Sequence, residues 1–310
     1  MLIFLKKMLY ILIILAVNLY ICEYISNKLS ARVELRRGYS MTRMKSTGFP
    51  LVRFLKYLSK DNRLSIWTYF TFLFSFLIWT TVPITSNLVL VEMDYSLLTA
   101  VAFYIGLIIM LFLDLCSTSY NDIFSEVSKK LLILLSFLVP CLISIASIVF
   151  INKTLNLKEI VNSQHQYWNI IFQPLGFITL FASSLLQLKL LGISGKNYLS
   201  GNIKISREGA GLAKVIERIS AYMILFFLIM LLGILYLGGW QNLYFIRGEI
   251  MIAVKFYFIY IILLLLDKAT SRIDNYKLFV KINWGFLLPL SLVNFAVTFG
   301  FSIVRNYNLF

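Results

Sequence analysis

Residues 28–63, KLSARVELRRGYSMTRMKSTGFPLVRFLKYLSKDNR, carry ten of the chain's 29 Lys and Arg residues and lie between two strongly apolar runs. A dense basic segment bracketed in this way is the pattern of a short loop held on one side of a membrane. Working outward, apolar runs of about 20 residues recur to the end of the chain, each long enough to cross ~30 Å of hydrocarbon as a helix. The hydrophobic fraction is 60% and the mean hydropathy +0.83, far above a soluble domain. The runs lack the alternation of barrel strands. The expected fold is therefore all-α: one integral membrane domain over 1–310 with about eight transmembrane helices.

The eight spans fall near 8–27, 64–84, 96–116, 130–151, 167–188, 216–238, 249–267 and 283–304. Lys6 and Lys7 followed by an apolar run resemble a signal peptide, but no small-x-small cleavage site follows, so the run is read as the first span. Twenty Lys and Arg residues fall in the loops after spans one, three, five and seven, against six on the other side. Short basic loops stay cytoplasmic, which places both termini outside. The net charge of +15 thus reflects topology and anionic lipid rather than nucleic acid.

Within the first loop, Leu51, Phe54, Leu55 and Leu58 recur at helical spacing, flanked by Arg53, Lys56 and Lys60. The segment reads as an amphipathic interfacial helix, either a lipid-surface anchor or a wall of a ligand chamber.

Ionisable groups inside spans are costly to bury, so each is a candidate site. Those with a candidate proton-path or intramembrane-charge role are Glu23, Asp114, Glu217 and Lys255. Arg218 follows Glu217 directly, so on a helix the two do not face each other. A lone intramembrane Lys255 requires a carboxylate or carbonyl partner, or a lowered pKa. Cys22, Cys116 and Cys141 have no paired spacing and read as small buried residues. The single histidine, His165, excludes a His-based metal cage within the chain. No phosphate-cradling glycine loop, Ser/His/Asp set or zinc spacing is present, and no catalytic residue is assigned.

Several stretches resemble the membrane subunit 1, or H subunit, of proton-pumping NADH:quinone oxidoreductase, respiratory complex I. LRRG at 35–38 resembles that family's L-R-K-G. IVNSQHQYWNIIFQPLGF at 160–177 resembles its entry to span five, and LGGW at 237–240 the end of its span six. KATSRIDNYKLFVKINWGFLLPLSLVN at 268–294 resembles its R-A-T-x-P-R-x-R-Y-D-x-L-x-x-x-x-W-x-x-L-P-L-S-L-x-N without a gap. The resemblance covers almost the whole chain, and the order and spacing of the motifs carry it. It favours the complex I branch over the related membrane-bound hydrogenase subunit.

The resemblance implies a subunit that forms the membrane part of a quinone chamber and links the peripheral arm to the proton-pumping arm. It implies no cofactor in this chain, with quinone as substrate of the complex. The implied partners are the peripheral-arm quinone-site subunits, the small membrane subunits and membrane lipids. The implied location is an energy-transducing membrane, bacterial inner or organellar inner. The retained chamber-side positions are Arg36, Gly38, Pro50 and Lys56. Arg36 has two readings: it orients a quinone headgroup or partner carboxylate, or it contacts a lipid phosphate.

The departures concern acids. The family's Ser-Tyr-Glu stands here as Ser136-Phe137-Leu138. Its acidic loop after span five is QLKLLGISGKNYLSGN at 187–202, with Gln187 and Ser194 at acidic positions, and its seventh-loop aspartate is Lys277. Gln, Leu and Ser do not exchange protons near neutral pH. A degenerate paralogue acting as a non-catalytic scaffold is therefore the alternative reading.

Overall fold

A chain segment in hydrocarbon has no water to bond, so each apolar run must close its own backbone hydrogen bonds. The computed structural model, which describes residues 2–35, 48–59, 65–117, 121–191, 193, 211–241, 247–270 and 276–306, does this with helices alone among the described residues. Six helices carry segments long and apolar enough to span: α1 (Leu2–Val33), α4 (Ser96–Ser117), α5 (Asn121–Asn152), α9 (Gly211–Tyr236), α10 (Gly248–Ala269) and the continuous pair α11 (Tyr276–Ile282) and α12 (Leu288–Asn306). Two shorter apolar helices, α3 (Ile66–Thr81) and α8 (Pro174–Leu190), occupy the places of the second and fifth expected spans. The remaining helices are α2 (Phe49–Leu58), α6 (Leu157–Ser163) and α7 (Asn169–Phe172). The protein is thus an all-α polytopic membrane protein, with an amphipathic helix in its first loop.

Beyond its charged first turns helix α9 is apolar on every side and lies at the centre: each residue from Ser220 to Tyr236 is buried. Helices α3, α8 and α10 pack on it, α4 packs on α3, and α5 joins α8 to α12. Helix α1 is longer than the expected 8–27 and continues through Val33, so the first part of the basic stretch prolongs the span rather than forming loop. Helix α3 starts at a Ser65–Thr68 capping box, where each side chain takes the other's backbone N–H.

Two prolines shape α5 and α12. Pro140 inside α5 has no N–H, which removes the bond to the Ser136 carbonyl. That carbonyl accepts instead from Asn283 Nδ2 at 2.9 Å. Asn283 opens a π turn, Asn283–Leu287, in which the Leu288 N–H reaches back to the Asn283 carbonyl. Pro289 follows at once and offers no N–H to Gly285, so the Gly285 carbonyl has no α-type partner at this turn.

Candidate functional site: an ion pair at the wall of an apolar cavity

Arg218 and Tyr222 stand one turn apart on α9 and so share a face. That face meets Glu23 on α1, 195 residues before Arg218. Arg218 Nε donates to Glu23 Oε2 at 3.0 Å and Nη2 donates to Oε1 at 2.8 Å, a two-pronged pair. Tyr222 Oη donates to Oε2 at 2.6 Å and Asn27 Nδ2 to Oε1 at 3.3 Å. Glu23 is only 5% exposed. A carboxylate this deep is held by its charge partner and by donors to both oxygens. Tyr260 Oη, donating to the Cys22 carbonyl at 2.8 Å, fastens the same turn of α1 to α10.

Glu23, Arg218 and Tyr222 form one wall of a cavity of about 470 Å³ between α1, α2 and α9. The rest of its lining is largely apolar; Leu15, Phe54 and Met223 are representative. Pro50 sits at the first turn of α2, is buried, and lines the cavity. Leu51 and Phe54 line it too while remaining exposed on the bundle surface, so the apolar face of α2 is a chamber wall as well as an interfacial surface. The arrangement suits an elongated apolar molecule whose polar head lies against the ion pair. Glu23 engages Nε and Nη2 of Arg218, which leaves the Nη1 donors outside that pair.

The other sequence candidates are dispersed. Arg36 and Gly38 lie outside the described residues, as does Ser194. Lys56 is exposed on α2 and is not part of the cavity lining. Glu217 is half-buried and does not line it either. Asp114 is buried at the last turns of α4, where its Oδ1 accepts from Ser65 Oγ at 2.7 Å and Thr68 Oγ1 at 2.6 Å. It ties the start of α3 to the end of α4.

Lys255 has carbonyl partners. Its Nζ donates to Leu237 O at 2.6 Å and Gly239 O at 2.9 Å, and stands 4.7 Å from the centre of the Trp168 ring. These are carbonyls just past the C-terminus of α9, where orphan C=O groups and the helix dipole favour a cation. Gln164 Nε2 donates to the Ile234 carbonyl at 2.8 Å and Asn169 Nδ2 to that of Leu235 at 2.9 Å. Gln164 Oε1 accepts from Gly238 N–H at 3.0 Å. Gly238 and Gly239 have φ of +70° and +50°, the left-handed region that glycine enters freely. The motif stretches 160–177 and 237–240 therefore interlock as one helix terminus. Likewise a Cβ on Gly176 would lie 2.6 Å from Tyr236 Oη and 2.9 Å from Asn294 Nδ2, which explains why QPLGF and the SLVN end of the last motif belong together.

Three residues escaped sequence reasoning. Tyr222 carries no charge pattern, and only its spacing from Arg218 hinted at it. Lys189, counted as a loop cation, is 1% exposed at the end of α8, with Nζ at the Thr270 carbonyl, 2.5 Å away. Asp267 is fully buried in the last turn of α10, at the same end of the bundle. Gln187, which stands at an acidic position of the resemblance, is fully buried. Its side-chain carbonyl takes the Tyr104 hydroxyl, and its Nε2 has no acceptor among the described residues. Among the described residues no group of three or more His, Cys, Asp or Glu is gathered as a metal site.

A family model described as NADH dehydrogenase matches residues 6–299. The H subunit of the NADH-quinone oxidoreductase of Geobacillus sp. (strain WCH70) is 29% identical over 171 residues, 53% of this chain and 50% of that protein. The H subunits of Bacillus cereus (strain B4264) and Bacillus thuringiensis (strain Al Hakam) are each 30% identical over 172 residues, with the same coverage of 53% and 50%. The chain thus matches these curated relatives over about half of their length. With a family match that runs from the first helix into the last, the chain belongs to the NADH dehydrogenase family that includes the H subunits of NADH-quinone oxidoreductases.

Proposed function

We propose that the chain is a membrane subunit of a proton-translocating NADH:quinone oxidoreductase, and that the cavity between α1, α2 and α9 is its share of the quinone chamber. One observation carries this: an apolar cavity of about 470 Å³ with the Glu23–Arg218–Tyr222 cluster in its wall. The isoprenoid tail lies along Leu15, Phe54 and Met223, and the head carbonyls approach the Arg218 guanidinium. The chain contributes no redox group; electrons come from an iron–sulfur cluster in a neighbouring subunit. The partners are the peripheral-arm quinone-site subunits and the small membrane subunits, in an energy-transducing membrane. The basic loops face the cytoplasm and both termini lie outside.

A second reading rests on Gln187. A neutral Tyr104–Gln187 pair stands where the resemblance places a glutamate. It supports a subunit that keeps the fold and docks its partners without coupling quinone chemistry to protons through this position.

Mild detergent extraction, native-gel separation and mass spectrometry test both readings. The chain is expected in a band with NADH:quinone activity; its absence there overturns the proposal. Within an active complex, Ala16→Trp, which fills the cavity, is expected to raise KM for quinone while NADH oxidation by a water-soluble acceptor is unchanged. Activity with normal KM but no proton uptake by vesicles selects the second reading. A cysteine placed at Ser40 is expected to resist an impermeant thiol reagent added from outside; labelling there reverses the orientation.

A further inference from the structure

A quinone and its hydroquinone share ring and tail and differ at two oxygens. A quinone carbonyl only accepts hydrogen bonds. A hydroquinone hydroxyl accepts too, but when buried it must also place its own proton on an acceptor. The wall of the cavity between α1, α2 and α9 meets these two demands unequally.

On the donor side, Arg218 lines the cavity with 28% of its side chain exposed. The edge formed by Nε and Nη2 is turned to Glu23, and Nη1 with its two N–H groups lies outside that pair. On the acceptor side the cluster is full. Glu23 Oε1 accepts from Arg218 Nη2 at 2.8 Å and Asn27 Nδ2 at 3.3 Å. Oε2 accepts from Arg218 Nε at 3.0 Å, Arg218 Nη2 at 2.9 Å and Tyr222 Oη at 2.6 Å. A carboxylate offers about four lone-pair sites, and these contacts already compete for all of them. The Glu23 side chain is 7% exposed, so little of either oxygen reaches the cavity. Tyr222 is fully buried, with its proton on Glu23. The other hydroxyls of the lining, on Tyr20 and Tyr57, both donate and accept, and so serve the two ligands alike. The remaining lining side chains are apolar.

We propose that the Glu23–Arg218–Tyr222 cluster makes this cavity selective for the oxidised form of its ligand. This rests on the cavity being the quinone chamber proposed above. A quinone carbonyl takes the Nη1 donors and strands nothing. A hydroquinone in the same place accepts from Arg218 but leaves its O–H against a saturated carboxylate. The ligand is therefore held well while oxidised and weakly once reduced, and the wall itself favours exchange of product for substrate.

The test uses the full chain in mild detergent under anaerobic conditions, with a decyl-substituted benzoquinone and the corresponding hydroquinone as probes. Dissociation constants come from the rise of melting temperature with ligand concentration. The quinone is expected to bind the parent chain about tenfold tighter, the worth of one stranded donor. Ala16→Trp, which fills the cavity, is expected to weaken both forms alike. Glu23→Leu combined with Arg218→Leu keeps the cavity and removes the cluster, and is expected to lower the preference about tenfold. The preference is compared between chains in the same micelles, so unequal partitioning of the two forms into detergent cancels. Should the double variant not fold, Arg218→Lys, which keeps the charge pair but lacks the second donor edge, is expected to shift the preference the same way. A preference equal in the parent chain and these variants overturns the proposal. Binding of neither form by the parent chain, or binding untouched by Ala16→Trp, overturns the chamber reading and the proposal with it.

Discussion

Glu23 and Lys255 are both ionisable residues deep in apolar helices, yet the molecule answers them differently. Glu23 has an opposite charge, Arg218, and sits in a cavity wall. Lys255 has two backbone carbonyls and an indole face, and closes the end of a helix. The first arrangement leaves polar donors beside open volume, which a ligand can use. The second spends its cation on groups that would otherwise be orphaned, which serves the fold. An intramembrane charge is thus a functional candidate only when its partners leave space beside it.

The largest test of this contrast is Arg218→Leu. It leaves Glu23 buried without its charge partner, and a loss of about 3–5 kcal/mol is expected for breaking such a pair from one side. Thermal melting of the detergent-solubilised protein measures it. Glu23→Leu combined with Arg218→Leu is expected to recover most of the loss, because the desolvation cost disappears with both charges. A double variant as unstable as the single one would show that the pair does not govern this site.

Lys255→Met sharpens the other half of the contrast. It strands the carbonyls of Leu237 and Gly239, and a loss of about 1–3 kcal/mol is expected, with the KM for quinone of the complex proposed above unchanged. An altered KM for quinone would move Lys255 out of its structural role. Gly238→Ala acts on the same clamp indirectly. It places a Cβ 2.9 Å from Trp168 and forces a non-glycine residue to φ +70°, at a cost of about 1–2 kcal/mol. Stability is expected to fall without loss of the Glu23–Arg218 pair, which double-mutant cycles can verify by additivity.

The smallest effect belongs to the exposed Glu92–Lys158 ion pair, outside the spans. Lys158 holds the Glu92 carboxyl below its usual 4.5 by hydrogen bond and charge. A depressed folded-state pKa means the contribution is present above about 4.5 and is lost as pH falls through the lower folded value. Glu92→Gln is therefore expected to shift the melting temperature barely at neutral pH and not at all in strong acid or high salt.

The helical class, the eight apolar runs and the interfacial helix were legible because apolar length and periodicity are local properties. The motif stretches were legible as a resemblance, but not their role. Gln164 and Asn169 meet the end of α9 from one part of the chain and Lys255 from another, and no spacing rule links the two. The same holds for Glu23 and Arg218. Their neighbours in sequence, Glu217 above all, looked equally eligible, because charge alone does not tell which face of a helix it occupies. Lys189 was misplaced for a related reason: a basic residue at the end of an apolar run reads as loop, and only the packing of α8 against α10 shows it enclosed.

The bond between Asn283 and the carbonyl that Pro140 leaves free has an evolutionary consequence. Position 283 cannot change independently of position 140. An alanine at 140 gives the Ser136 carbonyl a backbone partner again, while Asn283 Nδ2 keeps the Ser136 hydroxyl as an acceptor at 3.1 Å. A leucine at 283 strands the carbonyl for as long as the proline stays. The order of the two changes therefore matters: the leucine is costly beside Pro140 and is tolerated once the proline has gone. The two sites, 143 positions apart, are thus coupled in one direction, and libraries randomised at 283 should return asparagine far more often beside Pro140 than beside an alanine at 140.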